Sequence, residues 1–137
     1  MNKAKFNARL RLALNALNLD LILEGAVEAL QNSEKATASA ASSACGFLGK
    51  MYWRGEGVPS NEIIARKWFE RGISQKNAAS FTGLAVMILN GAAGLEINNE
   101  KAINLLTEAS NLGHAEAKVY LARELSSFFF VLIYRFE

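Results

Sequence analysis

"LGKMYWRGEGVPSN", residues 48–61, sets the aromatic pair Tyr52 and Trp53 directly before two glycines, a valine and the chain's single proline. Such a stretch reads as a phosphate cradle, a hairpin or a corner between two helices. A phosphate loop follows a strand and ends in Gly-Lys-Ser/Thr, and no such lysine is present here. A hairpin requires period-two alternation on both sides, and the flanking apolar residues instead recur every three or four positions. A helix corner accounts for every residue. Gly55 and Gly57 take up backbone angles that a β-carbon resists, Pro59 blocks continuation, and Asn61 is a good N-cap for a second helix.

The same corner recurs downstream. At a shift of about 36 residues, Leu48, Gly49, Tyr52 and Gly55 fall on Leu84, Ala85, Ile88 and Gly91, each large on large or small on small. With one extra residue in the loop, Gly57, Val58, Asn61, Ala65, Trp68 and Phe69 fall on Gly94, Leu95, Asn98, Ala102, Leu105 and Leu106. A third copy starts at Ala115, Ala117, Leu121, Ala122 and Leu125 and is abandoned at Ser126. Upstream, Ala26, Ala29 and Leu30 have the spacing of Ala65, Trp68 and Phe69, with the Ser/Ala-rich residues 32–44 as a stretched connection.

Within each copy the apolar spacing is that of one helix face, so each unit is a helix pair. The first unit predicts helices near 41–54 and 62–73. The expected architecture is all-α, an α/α solenoid of about two and a half helix-turn-helix repeats. Residues 1–125 form it, with units near 41–77 and 78–114 and a partial unit at 115–125. Residues 126–137 make a non-repeat hydrophobic tail.

Composition excludes several function classes. A length of 137 residues with 51% hydrophobic content suffices for one cored domain. A formal charge of +2 is too small for the basic surface that nucleic acid requires. Cys45 is the sole cysteine, so no internal disulfide can form. Met1 to Leu17 intersperses Lys3, Lys5, Arg9 and Arg11 with Phe6, Leu10, Leu12 and Leu14, an amphipathic helix pattern rather than a signal peptide. The longest strongly apolar run, Phe128 to Tyr134, falls well short of the roughly 20 residues of a membrane span.

The segment "ACGFLGKMYWRGEGVPSNEIIARKWFERG" resembles a Sel-one-like repeat, a relative of the tetratricopeptide repeat. Ala44, Leu48, Gly49, Tyr52, Gly55, Gly57, Val58, Ala65, Trp68 and Gly72 fill that family's pattern, and the second unit departs from it at Ile88 and in its longer corner. The resemblance implies an α-solenoid that binds proteins along its surface, and it implies no reaction. Among subfamilies the segment is most similar to the fungal adaptor subunit of the membrane ubiquitin ligase of endoplasmic-reticulum-associated degradation. Bacterial secreted and signalling proteins share the repeat, and a segment of a longer adaptor is a further alternative. A complete chain would be cytoplasmic, and a fragment of that adaptor would lie in the endoplasmic reticulum.

Catalytic chemistry has little to draw on, with one His, one Cys and one Asp. No cofactor, metal or catalytic residue is expected. His114, at the position of Asn77 before a first helix, reads as a solvated or capping residue, and Cys45 as a small buried hydrophobe. Glu62 and Arg66 read as an i,i+4 surface pair, and Tyr52, Trp68 and Phe69 as core. Trp53 beside Arg54 stands off the buried stripe, the pairing enriched at binding hot spots. The surface of the first helices, including Lys50, Trp53, Arg54, Asn90 and Arg123, is the candidate protein-binding face. The tail "SSFFFVLIYRFE" has high β-propensity and no charge before Arg135. It must be covered, by folding back on the last helix pair or by pairing with a second chain in a homo-oligomer.

Overall fold

A computed structural model of the chain describes Leu21 and residues 35–135. The helices run in the order α1 (Lys35–Arg54), α2 (Glu62–Ser74), α3 (Ala78–Asn90), α4 (Asn99–Asn111) and α5 (Ala115–Arg135), with a 3₁₀ turn at Ala92–Gly94 between α3 and α4. No strand occurs among the described residues. Each helix packs on its neighbour in sequence, and α1 also packs on α3 and α3 on α5. That is a stack of helix pairs, the solenoid that the repeat spacing predicts. The N-terminal amphipathic segment and the expected half-unit around Ala26, Ala29 and Leu30 lie outside the described residues.

The corners form as their chemistry dictates. Gly55 and Gly57 have φ of 71° and 76°, the left-handed region that costs other residues roughly 1–2 kcal/mol. Asn61 caps α2 by accepting a hydrogen bond from the Ile64 N–H at 3.0 Å. Asn98 repeats that cap on Lys101, and Asn77 caps α3 on the Ser80 N–H. One asparagine thus opens each of these three helices.

Ala41, Cys45, Leu48, Tyr52, Ala65, Trp68, Phe69, Leu84, Ala85, Ile88, Leu106 and Ala117 belong to one continuous core. Gly49 has a different task from close approach of backbones. The Phe69 ring lies in a slot between Gly49 of α1 and Gly83 of α3, and a β-carbon at either glycine would clash with it. A single side chain of α2 thereby sets the spacing of two successive first helices.

Three expectations need correction. Residues 35–40 are not a stretched connection: α1 starts at Lys35, as its alanines, the strongest helix formers, favour. Glu62 does not pair with Arg66. Its carboxylate accepts from the Ala93 N–H at 3.2 Å, while Arg66 donates to the Ala93 carbonyl at 3.1 Å and to Glu70 at 2.8 Å. The extra residue of the second corner puts Ala93 in the left-handed region at φ 52°, and these two side chains clamp it there. Finally, the third first helix does not stop at Ser126. Without glycine or proline after Gly113, α5 runs on to Arg135. Residues 126–135 do not fold back, and all of them are exposed.

Candidate functional site

The first helices of successive units line up with the same face turned outward, and together they form a groove. Lys50, Trp53 and Arg54 of α1, Thr82, Gly83 and Val86 of α3, and Glu116 and Tyr120 of α5 line its central part together with the edge of Phe69. The edge of the Phe69 ring reaches the floor because Gly83 has no side chain there. At one flank the groove continues past Lys50 to Phe47, Ala79 and His114. At the other it continues past Glu116 and Tyr120 to Val119 and Arg123.

Of the five residues predicted to bind, Lys50, Trp53 and Arg54 come together in the central groove. Trp53 is half-buried: one side of the indole packs against the core and another lines the groove. Arg54 is exposed, 3.7 Å from Glu56. Arg123 stands on the adjoining flank with its guanidinium 5.2 Å from the Tyr120 ring centre. Asn90, the last residue of α3, is exposed and lies apart from this lining. Tyr52, Trp68 and Phe69 are buried, as core spacing predicts.

Lys50 is engaged within the fold. Its ammonium meets the Glu116 carboxylate at 3.0 Å, joining α1 to α5 across α3. Below this pair, the His114 Nδ1 lies 2.8 Å from the Thr82 hydroxyl, which also stands 3.1 Å from the Ala78 carbonyl. The direction of the hydrogen bond between the hydroxyl and Nδ1 follows the imidazole tautomer. Burial holds the imidazole below its ordinary pKa, Lys50 pushes the same way, and Glu116 opposes them. His114 is thus neither simply solvated nor a side-chain cap, because Thr82 on the neighbouring first helix offers the ring a closer partner.

The spacing of the sequence passes over Phe47, Tyr120 and Glu116. Tyr120 stands at the repeat position of Phe47 and Gly83, one place before Leu48, Leu84 and Leu121 of the buried stripe, and this place beside the stripe is the signal that it belongs to a rim. Phe47 has Gly83 and Tyr120 as counterparts, so no aliphatic periodicity marks it, although it is 65% exposed. Cys45 is buried, which raises its thiol pKa, with Arg71 acting in the opposite direction. Among the described residues no group of three or more His, Cys, Asp and Glu is placed to hold a metal ion. No described helix is long and apolar enough to cross a membrane.

A family profile described as "Sel1 repeat" matches residues 42–77 and 78–114, a little over half of the chain. An uncharacterized Sel1-like repeat-containing protein of Schizosaccharomyces pombe is 27% identical over 92 residues. The match covers 67% of this chain and 14% of that protein, so the chain spans only a small part of the relative's length. No solved structure matches the chain at a significant level.

Proposed function

Because the chain belongs to the Sel1 repeat family, whose repeats are generally protein-interaction modules, we propose that the groove across α1, α3 and α5 binds a segment of another protein. The observation that carries this reading is the convergence of Trp53, Tyr120 and Val86 with Arg54 and Arg123 on one face built from three helices. Half-buried aromatics with neighbouring arginines are the composition of binding hot spots. The fitting ligand is a short segment with an apolar anchor between Trp53 and Tyr120 and carboxylates reaching Arg54 and Arg123. The role is that of a scaffold or adaptor without an enzymatic reaction.

The finer reading is an adaptor subunit of the ubiquitin ligase of endoplasmic-reticulum-associated degradation, supported by the match of the first unit to that pattern and by a fungal relative. A second reading, a structural segment of a longer adaptor, is favoured by the 14% coverage of that relative. Affinity capture with mass spectrometry separates them. Ubiquitin-ligase components support the degradation adaptor, bacterial envelope or host proteins support a secreted or signalling member, and recovery of the chain alone favours the segment. For a captured partner, Trp53→Ala with Arg54→Ala should weaken binding at least about tenfold, the loss of one modest hot spot, with helicity retained. Unchanged affinity would place the site elsewhere.

A further inference from the structure

We propose that two copies of the chain pair through their α5 helices in antiparallel fashion. The exposed end of each helix then occupies the place that a second helix would hold in the other copy's unfinished third unit. This goes beyond the groove reading and uses a different surface.

The open place is visible by comparison within the chain. In the first unit, Gly49 of α1 faces the Phe69 ring of that unit's own second helix. The preceding position is Leu48 in that unit and Leu84 in the next, both buried; in the third unit it is Leu121, which is only half-buried, because no described helix follows α5 to cover it. From Leu121 an apolar stripe continues along α5 as Leu125, Phe128 and Leu132, at spacings of four, three and four residues. That is one face of a helix, the seam spacing of paired helices.

The spacing also selects the partner. A four-three-four stripe reads the same in both directions, so an antiparallel second copy sets Leu121 against Leu132 and Leu125 against Phe128, twice over. Such a self-complementary contact is what a two-fold dimer requires. Antiparallel is also the direction in which a second helix returns along the first helix of its unit.

The exposure agrees. Phe128 to Tyr134 are each 42–63% exposed, which at the 150–250 Å² of a large side chain amounts to about 600–1,000 Å² spread around the helix. That is more than the roughly 300–600 Å² of the largest apolar patch of a typical monomer, and the seam residues Leu125, Phe128 and Leu132, 39%, 58% and 42% exposed, are the part that an antiparallel copy covers. The pairing also apposes Lys118 and Arg135 at each edge, a like-charge contact, so association tightens as salt rises.

The test uses the full chain. Light scattering at tens of micromolar should give twice the monomer mass, and Phe128→Glu with Leu132→Glu should give a monomer of unchanged helicity. The register is read by disulfide trapping, in which buried Cys45 does not compete. Leu125→Cys combined with Phe128→Cys should cross-link two chains under oxidation, and either substitution alone should not. Efficient cross-linking of a single variant would mean a parallel pair and would overturn the proposal. So would a monomeric parent, or a parent monomer that binds phosphatidylcholine vesicles through residues 126–135, which would assign the tail to a lipid surface.

Discussion

Phe69 carries more of the fold than its one position suggests, because its ring is gripped by the absence of side chains on both flanks. Adding a methyl group at Gly83 pushes into that ring, and overpacking of this kind costs typically about 1–3 kcal/mol. We expect Gly83→Ala to lower stability by that amount in urea melts. In a Phe69→Leu background the same substitution should cost clearly less, since the shorter side chain vacates the slot and the two sites are coupled. Equal costs in the two backgrounds would show that the clash is relieved elsewhere. Gly49 is legible in the sequence as a site of close approach, from its place beside Leu48 on the buried stripe. That the approaching group is a ring from α2 is not, because one-dimensional spacing does not reveal which neighbour fills the gap.

At the scale of elements, the second corner accommodates one residue more than the first and places the strain on Ala93. A left-handed alanine costs roughly 1–2 kcal/mol, part of which glycine would give back as chain entropy. Ala93→Gly should therefore raise stability, by up to about 1 kcal/mol. A lower melting temperature would mean that the Ala93 methyl packs to greater effect than its backbone strains. The corners themselves are readable from the sequence, since Gly55, Gly57, Pro59 and Asn61 act through their own backbone and nearest neighbours. The pairing of Glu62 with Arg66 fails for the opposite reason. On an isolated helix they are each other's best partners, but the Ala93 peptide group arrives from the next unit and takes both. The continuation of α5 past Ser126 is hidden in the same way: three phenylalanines suggest a strand in isolation, while an established helix with no breaker simply propagates.

For the molecule as a whole, the link from His114 to Thr82 and the bridge from Lys50 to Glu116 bind the three first helices into one face. His114 is the chain's single histidine, so it alone has an ordinary side-chain pKa between pH 5 and 8. Its folded pKa is lowered, so the folded state resists protonation more than the unfolded chain does. The associated stability is fully present above the unfolded value of about 6.5 and is lost as pH falls through and below it. Urea midpoints should thus decline from pH 7.5 toward 5, and His114→Asn should flatten that decline. An identical slope in the variant would place the pH dependence on carboxylates. The groove as a surface is only partly legible: Lys50, Trp53 and Arg54 share a helix and can be grouped from spacing, whereas Tyr120 and Glu116 join them only because two helix pairs stack to the required depth. The Phe69 slot has a consequence for how such a chain can be lengthened. A tandem duplicate of the first unit would bring Phe47 to the position of Gly83, where not even a methyl group fits against the ring. The smaller Leu106, by contrast, is followed at that position by the bulky Tyr120. Bulk on a second helix is matched by its lack on the next first helix, so the units have a fixed order of succession, and growth by copying one module would fail at the joint unless ring and slot were exchanged together.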